Sequence, residues 1–293
     1  MIIVTGASGL LGSRLVQAAL LRGKEVTAVS NRHPVAFRGT RNLVLDLETP
    51  GAGKRLVQLN PRWIIHCAAL TDVDRCQREP EAAARSNATV AERLALDAFK
   101  AGVRFFQVST DAVFDGTREY CDEITPTNPI NVYGVTKLCA EESVLAISHE
   151  NIVARVNFYG QSVTGGRGLA EWVLGELTAG RRVPGFCDAV FTPLCADDLA
   201  DRILELIDRK AAGLYHLCGG EAVTKFDFAR ALAETFGLDP SLVFPATLAG
   251  SVLAAPRPRT LNLRSTRAEH LLGAPMPNLA MGLSRFRGSF QSR

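Results

Sequence analysis

The 293-residue sequence has no Cys-x-x-Cys pair, no block of like charge and no apolar stretch near the ~18 residues of a membrane span. Its seven cysteines (67, 76, 121, 139, 187, 195 and 218) are odd in number and scattered. Most lie in apolar runs such as Ile64-Ile65-His66-Cys67-Ala68-Ala69, so they read as small buried hydrophobes in a reducing compartment, not as disulfides or metal ligands. The five histidines are too dispersed to suggest a metal site, and none is expected. The chain opens on Met1-Ile2-Ile3-Val4-Thr5 without a basic n-region, so no signal peptide is read and a cytoplasmic location is expected. Thirty-three basic and 30 acidic residues leave a net charge of +3, too even for a nucleic-acid surface. Lysine is scarce, with only six, so the place of each one carries information.

What is present is an ordinary globular composition, 47% hydrophobic and 22% charged, which excludes a disordered chain. At ~150 residues per domain, the length suits one large domain or two intimate ones. Short β-rich runs alternate with helical patterns through the first half. Strands are expected at Ile2–Thr5, Val26–Ser30, Leu43–Leu45, Trp63–Cys67, Arg104–Ser109 and Ile152–Val156. Helices are expected at Leu10–Arg22, near Lys54–Leu59, at Glu81–Gly102 and at Tyr133–Ser148. Parallel pairing needs a crossover helix, so this alternation predicts an α/β, Rossmann-type doubly wound parallel sheet. Further on, helices are read at Leu169–Ala179, Ala196–Asp208 and Lys225–Phe236, with a strand at Gly213–Cys218. Prolines 240, 245, 256 and 258 then suggest an irregular cap, without a core of its own. The expected division is a dinucleotide-binding domain of residues 1–156 plus about 190–220, and a smaller C-terminal substrate lobe of about 157–189 plus 221–293.

Gly6-Ala7-Ser8-Gly9-Leu10-Leu11-Gly12 stands between the first strand and the first helix. One glycine permits the turn, one lets backbone approach a pyrophosphate, and one lets helix meet strand. The phosphates would face unpaired N–H groups at the helix start. A glycine triplet alone is weak, but the strand before it and the apolar-periodic helix after it supply the context of a dinucleotide site. At the end of the second strand a ribose 2′-hydroxyl would want a carboxylate. Ser30-Asn31-Arg32 offers a guanidinium instead, which favours a 2′-phosphate and hence NADP. Arg14 could reinforce it. Asp46, ending the third strand, reads equally as a partner of the adenine amino group and as a surface carboxylate.

Tyr133 and Lys137 are four apart at the start of a helix and share a face. An ammonium beside a phenol would lower the phenol's pKa from ~10 toward neutrality and make it a usable general acid or base. Thr110, in Ser109-Thr110-Asp111 at a strand's C-terminal end, could donate to the same substrate oxygen. Alone, that tripeptide reads as an ordinary turn cap. In the C-terminal region, Ala254-Ala255-Pro256-Arg257-Pro258-Arg259 is basic and stiffened by proline, which suggests Arg257 as a diphosphate clamp or, equally plainly, as one half of a surface ion pair.

Together these segments resemble the extended short-chain dehydrogenase/reductases, and among them the dTDP-4-dehydrorhamnose reductase branch. The resemblance rests on Gly6-x-x-Gly9-x-x-Gly12, Ser109-Thr110-Asp111-Ala112-Val113-Phe114-Asp115-Gly116 and Asn131-Val132-Tyr133-Gly134-Val135-Thr136-Lys137, and extends to about residue 275. Supporting stretches are Ala68-Ala69-Leu70-Thr71-Asp72-Val73-Asp74, Asn87 and Arg257-Pro258. It implies Thr110, Tyr133 and Lys137 as the catalytic set. It also implies cofactor contacts from Gly6, Ser8, Gly9, Leu10, Leu11, Gly12, Asn31, Arg32, Asp46, Leu47, Cys67, Ala68, Ala69, Asn87, Tyr133 and Lys137. Substrate contacts are implied for Thr71, Asp111, Ala112, Asn157, Phe158 and Arg257. The implied reaction is NADPH-dependent reduction of the 4-keto group of a nucleotide-linked 6-deoxysugar.

Three positions depart from the branch. Ala112 replaces its usual Tyr, Phe158 its usual Trp, and Phe191-Thr192-Pro193-Leu194 its Gly-x-Pro-Thr segment. All three fall in the expected sugar pocket. Two alternatives stand beside the reductase. One is a sugar-nucleotide epimerase or dehydratase, although Ala112 breaks the acid pair a dehydratase needs. The other is a non-catalytic NADP-binding regulatory subunit similar to the methionine adenosyltransferase β subunit. Partners beyond a small nucleotide sugar are not indicated; a homodimer is an open assembly state.

Overall fold

A computed structural model of the chain describes residues 1–165, 168–250 and 253–290. The first half runs β1 (Ile2–Thr5), α1 (Leu10–Leu21), β2 (Val26–Ser30), β3 (Arg41–Val44), α2 (Ala52–Val57), β4 (Trp63–His66), α3 (Val73–Arg78), α4 (Pro80–Ala84), α5 (Val90–Lys100), β5 (Arg104–Thr110), α6 (Val132–Ile147) and β6 (Ile152–Val156). The second half runs β7 (Phe158–Tyr159), α7 (Leu169–Thr178), β8 (Val183–Phe186), β9 (Val190–Phe191), β10 (Leu194–Cys195), α8 (Ala196–Asp208), β11 (Gly213–Leu217), β12 (Val223–Thr224), α9 (Lys225–Phe236), β13 (Val243–Ala246), β14 (Thr260–Leu261), α10 (Thr266–Leu272) and α11 (Leu279–Ser289).

Seven strands form one parallel sheet in the order β3-β2-β1-β4-β5-β6-β11. The chain leaves β1 toward one edge, through β2 and β3, and returns at β4 toward the other. That reversal opens a crevice beyond the C-terminal ends of β1 and β4, where doubly wound sheets bind ligands. The inner strands β1, β2, β4, β5 and β6 are buried on both faces, and their alternation feeds two layers. Val4, Phe106 and Ala154 pack with Leu15, Leu199 and Ile203 on one side. Ile3, Phe105 and Val153 pack with Leu56, Leu94 and Val144 on the other.

Three expectations are corrected. The strand expected at Leu43–Leu45 is β3, Arg41–Val44, an exposed edge strand set by pairing with β2 rather than by apolar residues. The single helix expected at Glu81–Gly102 starts at Pro80, whose fixed φ suits a first helical position, and is broken by a π turn at Arg85–Thr89. The third concerns the C-terminal region, which is more ordered than a proline-rich cap. It contributes α10 and α11, and Phe228, Phe286 and Tyr159 join Leu174 and Val183 in an apolar cluster of their own.

Candidate active site

The glycine turn is built for close approach. Gly6 has φ +67°, and a Cβ there would stand 2.7 Å from the backbone nitrogen of Ala68. A Cβ on Gly12 would collide with the Gly6 carbonyl. Gly9 caps α1 without any side-chain acceptor, so the first N–H groups of the helix are left for an external anion. Leu11 is a core residue, so only its backbone faces this turn. Ala68 and Ala69 follow β4 as half-buried neighbours of Gly6, with Cys67 beside them. The cradle therefore fits a dinucleotide pyrophosphate: glycine where a side chain would block it and unspent donors where its charge would lie.

The polar residues around the cradle divide into two groups. Arg32 is exposed just past β2 with Asn31, and Glu79 feels its charge. Asp46 is exposed past β3 and accepts from the Glu48 backbone at 2.9 Å, while Leu47 packs on the core. Arg14 does not reach toward Arg32: it donates to the Gln161 carbonyl at 3.2 Å and lies 3.6 Å from Asp197. Asn87 is buried within the π turn. It accepts from Leu70 N at 2.8 Å and donates to Leu70 O and the Thr136 hydroxyl, both at 3.1 Å. Its amide is consumed in joining the loop after β4 to α6, so it places that loop rather than offering a free group.

A cleft beside the cradle is lined by Ser109, Thr110, Asp111, Tyr133, Val156, Asn157 and Phe158. Thr110 ends β5, and Asn131 caps α6 by accepting from Gly134 N at 2.9 Å, with Tyr133 in the first turn and Lys137 one turn further on the same face. Thr110 caps the following turn, accepting from Ala112 N at 3.2 Å, and also faces the phenol. The cap reading of this residue therefore holds.

The electrostatics differ from the expectation on one point. Burial pushes the Tyr133 phenol up, and Lys137 does not oppose it; the Thr110 side chain does, in part. The Lys137 ammonium instead donates to the Val108 carbonyl at 2.6 Å. Burial pulls its pKa down to about 8, while the Glu141 carboxylate one turn further along α6 favours the charge. Burial thus favours the neutral phenol of Tyr133 over the phenolate.

Sequence reasoning missed two charged residues here. Glu141 accepts from Ser109 and takes Arg155 in a fork, in contact with His216 behind it. Its spacing of four from Lys137 was the available signal. The second is Lys225, one of the six lysines, at the start of α9. Its ammonium lies 3.7 Å above the Phe191 ring and acts on Asp111.

Asp111 is buried, accepting from Asn157 and from the Thr110 hydroxyl, and burial raises its pKa. Phe158 is half-buried on β7, Ala112 is buried, and Thr71 is exposed ahead of α3. Arg257 is paired: it lies 3.1 Å from Asp74 and donates to the Ala255 carbonyl at 2.9 Å. Among the described residues, no group of three or more His, Cys, Asp or Glu could hold a metal ion, and no helix is long and apolar enough to cross a membrane.

The chain is 33% identical to the probable low-salt glycan biosynthesis reductase Agl14 of Haloferax volcanii, over 98% of this chain and 97% of that one. The methionine adenosyltransferase 2 subunit beta of Xenopus laevis is 32% identical over 92% of this chain and 81% of its own. The crystal structure of dTDP-4-dehydrorhamnose reductase from Bacillus anthracis, in complex with NADP, superposes with a TM-score of 0.87 at 27% identity, covering 99% of each chain. The family described as RmlD substrate binding domain matches residues 1–291, and the chain belongs to that family, within the extended short-chain dehydrogenase/reductases.

Proposed function

We propose that this protein reduces the 4-keto group of a nucleotide-linked 6-deoxyhexose with NADPH. It is an NADP-dependent oxidoreductase. The observation that carries the reading is the meeting of Thr110 and Tyr133 in one cleft, with Lys137 buried one turn further along α6 against the Val108 carbonyl of β5. NADPH, when bound, supplies the hydride. The chain's own residues do the rest. Gly6, Gly9 and the open start of α1 would receive the pyrophosphate, and the exposed Arg32 past β2 is the proposed partner of a 2′-phosphate. Lys137 is the cation of the nicotinamide end. Thr110 and Tyr133 hold the substrate carbonyl oxygen, and the protonated phenol donates its proton there as the alkoxide forms.

The proposed division assigns residues 1–156 plus about 190–220 to the cofactor and about 157–189 plus 221–293 to the sugar nucleotide. Arg257, Thr71, Asp111, Asn157 and Phe158 are proposed as the sugar-nucleotide side. The similarity to the β subunit favours a second reading, a non-catalytic NADP-binding subunit. NADPH oxidation assayed with dTDP-4-dehydrorhamnose and related 4-keto sugar nucleotides separates the two. Turnover is expected. Tight NADPH binding without oxidation by any of them would transfer the case to the regulatory subunit.

A further inference from the structure

Gln107 is a buried amide on β5 that the hydride chemistry does not use. It stands in register between His66 on β4 and Val153 on β6, on the same face as Phe105, whose apolar layer includes Ala140 and Val144 of α6. A side-chain amide offers about four hydrogen-bonding positions. Among the described residues this one uses a single position: Nε2 donates to the Val108 carbonyl at 2.7 Å. Its Oε1 is buried without a partner, which costs stability that an apolar side chain of the same length would not. The one bond it makes therefore needs a reason.

The Val108 carbonyl is left to side chains by the way β4 ends. Arg104 N donates to the Arg62 carbonyl at 3.3 Å, so alternate residues of β5 from Arg104 onward, Val108 included, aim their backbone groups at β4. That strand stops at His66, and the Ala68 N–H, next in the ladder, turns to the Thr5 hydroxyl at 3.5 Å. Lys137 takes the vacated side: its ammonium donates to the Val108 carbonyl at 2.6 Å and, among the described residues, meets no second hydrogen-bond acceptor. With Gln107 on the same oxygen, both its lone pairs are engaged. Lys137 is buried and is not one of the residues lining the cleft. To meet a cofactor there, its ammonium has to leave Val108. A buried carbonyl deserted by its last donor would add its full desolvation penalty to that step. Gln107 removes the penalty, because the oxygen keeps one donor throughout.

We propose that Gln107 is a positioning residue that acts through Lys137: it holds the Val108 carbonyl while the ammonium moves to the nicotinamide end of NADPH. This rests on the assignment of Lys137 to the cofactor and is independent of which sugar is reduced.

The test is a double-substitution cycle of Gln107→Met, which keeps the length of the side chain without its donor, and Lys137→Met. It is read by NADPH titration and by melting temperature. Gln107→Met alone should weaken NADPH roughly 5- to 100-fold, the worth of a buried carbonyl left unpaired. It should melt near wild type, since Lys137 still meets that carbonyl. In the Lys137→Met background the two readouts should exchange. Gln107→Met then brings no further loss of NADPH affinity, since no ammonium has to move, but it lowers the melting temperature by a few degrees, since the carbonyl loses its last donor. An equal loss of NADPH affinity with and without Lys137, or no loss in either background, overturns the proposal. If Lys137→Met binds NADPH too weakly to titrate, melting decides, and equal melting losses in the two backgrounds overturn it. If no 4-keto sugar nucleotide is turned over, the reductase reading fails, while the cycle, which needs only binding, still decides the role of Gln107.

Discussion

Glu141 accepts Nε and Nη2 of Arg155 at 3.0 and 2.7 Å, and the two side chains are 3% and 6% exposed. The same carboxylate takes the Ser109 hydroxyl and stands one helical turn from Lys137. It ties β5, α6 and β6 together beneath the cleft. Replacing it with glutamine leaves a buried guanidinium uncompensated, which costs about 3–5 kcal/mol. Glu141→Gln should therefore melt several degrees below wild type in a thermal scan.

The same substitution has a sign in pH. The Lys137 ammonium exists below about 8 and is lost as pH rises through that value, and Glu141 is the group that favours it most. The rate of reduction at saturating substrate should fall above pH 8 in wild type. In Glu141→Gln this alkaline limb should move to lower pH, because the opposing charge is gone. Coincident profiles for the two proteins would detach Lys137 from the limb.

Tyr133→Phe keeps the ring and removes the proton. Turnover should drop by roughly 10²- to 10⁴-fold, the usual worth of general acid catalysis. NADPH affinity, measured by fluorescence titration, should hold. A near-normal rate would move the chemistry to another donor.

Arg32 is exposed and free to meet a phosphate. Arg32→Ala should weaken NADPH roughly tenfold or more, from the loss of a charge-assisted hydrogen bond, and should leave NADH almost untouched. Equal losses for both cofactors would rule out the 2′-phosphate assignment.

Arg257 pairs with Asp74, with both side chains about a quarter exposed. A pair this exposed holds its arginine weakly, so a substrate diphosphate can displace Asp74. Arg257→Ala should raise the Michaelis constant for the sugar nucleotide while NADPH affinity stays fixed, and free nucleoside diphosphate should compete with substrate in wild type. Absence of that competition would point to an unphosphorylated ketone.

The sequence alone determined what depends on near neighbours. Gly6, Gly9 and Gly12 between an apolar strand and an apolar-periodic helix dictate the cradle, because turn sterics and helix ends are local. The spacing of Tyr133 and Lys137 put both on one helix face for the same reason. Tertiary structure decided what depends on residues far apart. The π turn is joined to the loop after β4 by Asn87, which bonds Leu70 seventeen positions away, and periodicity does not report such a contact. Only folding joined Arg155 to Glu141 and Arg257 to Asp74. Folding also decided the charge of the phenol. The four-residue spacing suggested a tyrosine tuned downward by lysine; the buried cleft raises it instead, because the Lys137 ammonium is taken by the Val108 carbonyl and desolvation outweighs the rest.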